Sequence, residues 1–415
     1  MSEVPDAVAP PPRHPRFPLL DGMRAVAVLS VVVVHVSLFG GALEGALVSR
    51  ALAHLNIGVT VFFLISGFLL YRPFIAHRAA GPPAPQVLEY AKRRLLRILP
   101  AYWLVLTVLV ILPGQTGVVD GEWIRQFGLF HTVPLPSDDS SCVSAILDCG
   151  LAQTWSLAVE MTFYALLPLY VVAAARLARG RSVAAWMRAE LLLLGALAVA
   201  SVVGYFFVLG ADTQSWVGGT AFAYLLWFGL GMAFAVLSVG LGDRPLPLPL
   251  RLLARRPGVP WLVAIFLYLA LSLWLPSTPF LAERGDLFVA HLTFGLIAAL
   301  LMLPAVFGDD LGGLPRRLLA HPWVAWVGLI SYGIFLWHYA IALQLGAGGS
   351  ELGFGPLLLA TLGLTIPIAA ASYYLVERPI LRLKYRSLRD LLGTGGGPSP
   401  SPPRADQPRL GHDPS

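Results

Sequence analysis

Charged residues are scarce in this sequence: Asp, Glu, Lys and Arg make up 13% of its 415 positions, against about a quarter in soluble globular chains. That deficit excludes a water-exposed globular domain as the bulk of the chain. Lysine is almost missing. Only Lys92 and Lys384 occur, so 27 of the 29 basic residues are Arg, a usage that fits a GC-rich bacterial genome. Cysteine is limited to Cys142 and Cys149. Absent too is the basic, then apolar, then small-residue pattern of a cleaved leader, because "MSEVPDAVAPPPRHPRFP" is polar and Pro-rich. The first apolar run is therefore expected to stay as an anchor. No groove-reading element and no interleaving of basic with aromatic residues points to nucleic acid, and no convincing internal repeat is visible.

What is present is apolarity in long blocks, with 57% hydrophobic residues and a mean hydropathy of +0.72. Ten blocks have about the length of a bilayer crossing: 20–39, 56–71, 98–112, 156–175, 190–209, 219–240, 259–276, 287–307, 323–345 and 355–376. Helices satisfy their own backbone in lipid, so the expected fold is an all-α integral membrane protein with about ten transmembrane helices. With the N-terminus placed inside, 26 of the 29 Lys and Arg fall on the inner side, and only Arg50, Arg125 and Arg284 lie outside. Both termini are therefore expected in the cytoplasm of a bacterial inner-membrane protein. The net charge of +6 then reflects topology and contact with anionic headgroups. The expected organisation is a disordered cytoplasmic segment 1–18, a membrane domain 19–386 and a disordered tail 387–415, which leaves no room for an appended soluble domain. The longest outside loop, about 113–154, holds Asp120, Glu122, Asp138, Asp139 and Asp148 with both cysteines. In an oxidising compartment Cys142 and Cys149 form either a loop staple or two free thiols.

Polar residues inside apolar blocks are costly and need a reason. "LLDGMRAVAVLSVVVVHV" (19–36) carries Arg24 and, eleven positions on, His35. On a helix that spacing puts both on one face, about 16 Å apart along the axis, with Asp21 one turn before Arg24 and able to pair with it. Two readings stand: a functional stripe, or a structural histidine with a snorkelling arginine. "VFFLISGFLLYRPF" (61–74) contains Ser66-Gly67, small residues that permit close helix approach. "YAKRRLLRILPAYW" (90–103) places Arg94 and Arg97 on one face at a span's mouth. Two guanidinium groups there suit bidentate phosphate binding as well as plain topology. Pro100 is expected in that helix's first turn. "QTWSLAVEMTFYALLPLY" (153–170) buries Glu160 behind Trp155 and Ser156, "GLISYGIFLWHYAI" (328–341) holds Tyr332 and His338, and "SYYLVERPILRLKYR" (372–386) ends on Glu377-Arg378-Pro379.

As an ordered set spanning 19 to about 386, these six stretches resemble the integral-membrane acyltransferases of the acyltransferase 3 type. That family's pattern runs LDGLRxxAxxxVxxxH, FFxxSGFL, RRxxRxxPxYW, WSLxVExxFY, SYxxYLWHxP and YxxERP. Met23, Met161-Thr162 and Tyr339-Ala340 depart from it beside the motif residues. The resemblance implies transfer of an acyl group, commonly acetyl, from cytoplasmic acyl-CoA to a hydroxyl of a glycan, glycolipid or macrolide-like acceptor, with no metal. It implies that His35 is the essential catalytic residue, as general base or as transient acyl carrier, and Glu160 is placed with it. Arg24, Arg94 and Arg97 are expected at the acyl-CoA phosphates. Trp155, Ser156, Tyr332, His338 and Glu377 are expected to contact substrate. A secondary transporter is the alternative, since it too buries His, Glu and Arg.

Overall fold

The computed structural model describes residues 17–40, 47–80, 87–111, 123–132, 151–208, 218–242, 245–276, 282–307, 312–347 and 352–385. Of these, 88% are helical and none is in a strand. The helices are α1 (Pro18–Phe39), α2 (Leu47–Ala53), α3 (Ile57–Ala80), α4 (Val87–Ile111), α5 (Trp123–Gly128), α6 (Trp155–Ala178), α7 (Val183–Val203), α8 (Leu225–Gly240), α9 (Leu248–Arg255), α10 (Gly258–Trp274), α11 (Arg284–Val306), α12 (Leu314–Leu319), α13 (Pro322–Leu329), α14 (Ser331–Ala347), α15 (Phe354–Ser372) and α16 (Arg378–Leu381). Among the described residues, eight helices are long and apolar enough to cross a bilayer, or ten if two bent pairs each count as a span. The ten apolar blocks thus correspond to ten helical units. Cys142, Cys149 and the acidic residues of the 113–154 loop lie outside the described residues, as do most of segments 1–18 and 387–415.

Two local expectations need correction. The RxxR helix starts at Val87, so Pro100 sits in its interior and not in the first turn. Apart from Val87 and Tyr90, residues 87–97 are strong helix formers (Leu, Glu, Ala, Lys, Arg), and they extend the helix beyond its apolar part. Pro100 consequently withholds an N–H from the Leu96 carbonyl four residues back. The block 323–345 is not one straight span but two helices, α13 and α14, meeting at 69°. Ile330 leaves helical geometry at φ −91°, ψ 6°. Gly328 just before it lies so close to the Asp21 backbone that any Cβ would overlap it. The α9–α10 pair bends by 94° at Arg256, which Pro257 pushes out of the α region.

Helix α1 is central, packed on α3, α13, α14 and α15, with Leu20, Met23, Ala27, Val28, Val31, Val32 and Val36 buried. Apolar burial against lipid gains little in a bilayer, so close backbone approach has to hold the bundle. The pair α3–α8 shows how. Gly67 lies against the Phe228 carbonyl and Gly231 against the Leu64 carbonyl, each without room for a Cβ. Gly67→Val should force these helices apart at a cost of about 1–3 kcal/mol, read as a lower unfolding midpoint of the purified protein; an unchanged midpoint would contradict this packing. Arg316, counted above as a topology signal, is buried and donates to the carbonyls of Ala254, Pro304 and Phe307 at 2.7–3.0 Å. It ties the ends of α9 and α11 together.

Candidate active site

Helix α1 supplies both ends of the site. In its first turns Arg24 donates to Asp21 at 2.6 Å, the pairing that their i, i+3 spacing anticipates. Arg94 and Arg97 of α4, both half-buried, lie within electrostatic reach of Arg24 and of each other. The Nε of Arg94 is buried and has no hydrogen-bond partner among the described residues. Buried donors are nearly always paired, so an unpaired N–H on this guanidinium is chemically suited to an anion's oxygen.

Facing these arginines is Glu160 of α6. Its Oε1 accepts from Ser66 Oγ at 2.5 Å and its Oε2 from the Tyr164 hydroxyl at 2.8 Å, with Arg94 and Arg24 in electrostatic reach. Tyr164 is one helical turn from Glu160, so the i, i+4 spacing alone pointed to that bond. Pro168 leaves the Tyr164 carbonyl without its helical donor, and the Tyr90 hydroxyl supplies one at 3.3 Å. Tyr332 donates to the Ile98 carbonyl at 2.8 Å and so braces α4 beside the RxxR pair. Glu377, in a π-turn after α15, is buried, accepts a long bond from Ser372 at 3.5 Å and faces Arg97. Its neighbour Arg378 instead lies over the Tyr374 ring. Glu160 therefore groups with Arg24 and Arg94, and makes no hydrogen bond to His35.

The other end of the stripe holds a histidine pair. His35 Nδ1 is 2.9 Å from His338 Nε2, and His338 Nδ1 is 2.9 Å from the Ile334 carbonyl. His338 is fully buried, whereas His35 is partly exposed. Tyr339 stands edge-on to the His35 ring, and Phe39 packs on Tyr339. Gln153, which no motif singled out, bridges to this region. Its Nε2 donates to the Phe335 and Leu336 carbonyls at 3.3 and 3.1 Å, while its Oε1 is buried without a partner among the described residues.

Ser156 is buried and donates to the Gln153 carbonyl, so its hydroxyl is taken up internally. Trp155 is partly exposed and packs on Phe63 and Tyr224, from which aromatic contacts continue to Trp227 and His291. Beside them the Thr154 hydroxyl donates to Leu151 and meets His131 Nε2 at 3.3 Å. Burial, with Arg125 adding to it, pushes the His131 imidazole down to about 4, so it is neutral at physiological pH and its Nε2–H is the donor to Thr154.

A family model described as an acyltransferase domain, the acyltransferase 3 type, matches residues 17–376. The chain belongs to the acyltransferase 3 family. It is 27% identical over 390 residues to YrhL of Bacillus subtilis, covering 90% of this chain and 56% of that protein. To the peptidoglycan O-acetyltransferase OatA of Listeria monocytogenes it is 27% identical over 384 residues, or 88% and 55% of the two chains. To the O-acetyltransferase OatA of Staphylococcus aureus it is 23% identical over 387 residues, or 90% and 58%. The chain thus spans little more than half the length of these curated relatives. No solved structure matches it. The acyltransferase 3 segment contains Arg24, His35, Arg94, Arg97, Glu160 and His338, with Glu377 one residue past its end. The protein is a multi-pass protein of the bacterial cell membrane, and the transporter alternative finds no support in these comparisons.

Proposed function

We propose that this acyltransferase 3 member is an O-acyltransferase that moves an acyl group, acetyl in the first instance, from cytoplasmic acyl-CoA to a hydroxyl of a cell-surface glycan. The observation that carries this reading is the polar stripe of α1. At one end Arg24 lies in electrostatic reach of Arg94, whose Nε has no partner among the described residues; at the other, about 16 Å away along the axis, stands the partly exposed His35. The names of both OatA relatives support O-acetyl transfer, and that of the Listeria protein supports a glycan acceptor.

In this reading the arginine cluster holds the donor's phosphates, Glu160 and Glu377 keep the guanidinium groups in place, and the flexible pantetheine arm covers the distance to His35. His35 takes the proton of the acceptor hydroxyl, and the freed oxygen attacks the thioester carbonyl. The C–S bond then breaks, and the leaving thiolate recovers the proton from the imidazolium. Trp155, partly exposed at one end of an aromatic cluster, serves the acceptor, because a flat apolar ring suits a sugar. The membrane domain is residues 19–386, with both termini cytoplasmic, which places the arginine mouth on the side where acyl-CoA is made.

Purified protein in lipid nanodiscs, given acetyl-CoA labelled in the acetyl group and a muropeptide or glycan acceptor, should release free CoA thiol and label the acceptor in an alkali-labile ester. No thiol release with any hydroxylated acceptor would overturn the acyl-CoA reading. For topology, single cysteines introduced at Lys92 and at Asp138, with Cys142 and Cys149 replaced, should label from outside intact cells only at position 138. Labelling at position 92 would reverse the orientation.

A further inference from the structure

The hydrogen bonds of the histidine pair can be followed proton by proton. The Ile334 carbonyl only accepts, so His338 Nδ1, at 2.9 Å from it, carries a proton and donates. An imidazole near pH 7 is neutral unless a charged partner holds its proton, and no carboxylate touches either ring among the described residues. Neutral His338 then has a lone pair on Nε2, which faces His35 Nδ1 at 2.9 Å. Two lone pairs cannot make that contact, so the proton of His35 lies on Nδ1. The other ring nitrogen, His35 Nε2, is then the unprotonated one.

We propose that His338 is a positioning residue: it holds His35 in the tautomer protonated on Nδ1 and so makes Nε2 the atom that takes the acceptor's proton. This rests on the general-base reading of His35 given above. It also separates His338 from the substrate contacts expected of it, since both its nitrogens are engaged and its side chain is fully buried. When Nε2 takes the hydroxyl proton, His35 becomes an imidazolium whose Nδ1–H still donates to the neutral His338. No proton passes between the rings; the second imidazole orients the first and stabilises its transient charge. The partner comes from 303 residues away in the chain, on the half-helix α14 that the bend at Ile330 sets at its own angle.

The tautomer can be read directly, apart from activity, by NMR of protein in nanodiscs labelled at the histidine ring nitrogens, with the His35 signal assigned by its loss in His35→Gln. The wild-type His35 should carry its proton on Nδ1. In His338→Leu the proton should move wholly or partly to Nε2, and kcat should fall about tenfold or more with the acyl-CoA KM nearly unchanged, since a wrongly protonated base is slow. In His338→Gln, Oε1 can accept from His35 while the amide N–H donates to Ile334, so that variant should keep about a third of kcat or more. A wild-type His35 protonated on Nε2 would overturn the proposal, as would His338→Leu with unchanged tautomer and kcat. A Gln variant no better than Leu would overturn it too. If His338→Leu does not fold, the wild-type tautomer and the Gln variant still decide. The base reading fails by a different result, an active His35→Gln protein.

Discussion

Replacing His35 by Gln should abolish acyl transfer while leaving the protein inserted and folded. The amide keeps the size and hydrogen-bonding capacity of the imidazole, including donation toward His338, but it cannot take up a proton near neutral pH. General-base catalysis contributes about 10²–10⁴-fold, so the initial rate in membranes of matched protein content should fall at least a hundredfold. Val34→Ala is the control. It removes buried apolar volume from the neighbouring position and leaves both histidines in place, so it should cost stability more than rate. A Gln variant keeping more than about a tenth of the activity would place the base elsewhere. Glu160 would be a poor substitute, because both of its oxygens already accept hydrogen bonds, from Ser66 and Tyr164.

Removing the guanidinium of Arg94 should raise the KM for acyl-CoA by about ten- to a hundredfold, the worth of one or two hydrogen bonds to a charged group. Stability should hardly change, because the buried Nε of Arg94 has no partner among the described residues that its loss would break. Arg97→Ala should act in the same direction with a larger stability cost, since Arg97 faces the buried Glu377. Lysine should rescue Arg94 poorly: an ammonium is a point charge and cannot present a planar fork to a phosphate. Donor titrations of the Ala and Lys variants, each paired with an unfolding midpoint, check this. A Lys variant with wild-type KM would reduce the pair to a topological signal.

The elements legible in the sequence are those that depend on a segment's own composition. Each membrane block was readable because a bilayer crossing needs about 20 apolar residues with their backbone bonds closed internally. Asp21 with Arg24, and Arg94 with Arg97, were readable because i, i+3 neighbours share a face whatever surrounds them. Glu160 stood out because a carboxylate in an apolar run demands partners. Its partners are only half readable: Tyr164 lies on its own helix, whereas Ser66, a small residue suited to close helix approach, donates from another helix. The start of α4 was misplaced because apolarity marks the lipid-facing part of a helix, and helix propensity carries the same helix eleven residues further out, past Arg94 and Arg97.

By itself the sequence determined that this protein is a bundle of membrane helices, which of its side chains are too polar to face lipid, and the family to which those side chains belong. Only the tertiary structure decided what each of them meets. His35 finds His338 on a half-helix bent by 69°, Glu160 accepts from Ser66 and Tyr164 with Arg94 and Arg24 in electrostatic reach, and Gln153 reaches the carbonyls just before His338. The reason is that hydropathy commits a segment to the bilayer but is nearly indifferent to its rotation about its own axis. That rotation is set by contacts between helices, here Gly67 and Gly231 of α3 and α8 lying against each other's backbones and Gly328 against Asp21, and these bring together residues hundreds of positions apart.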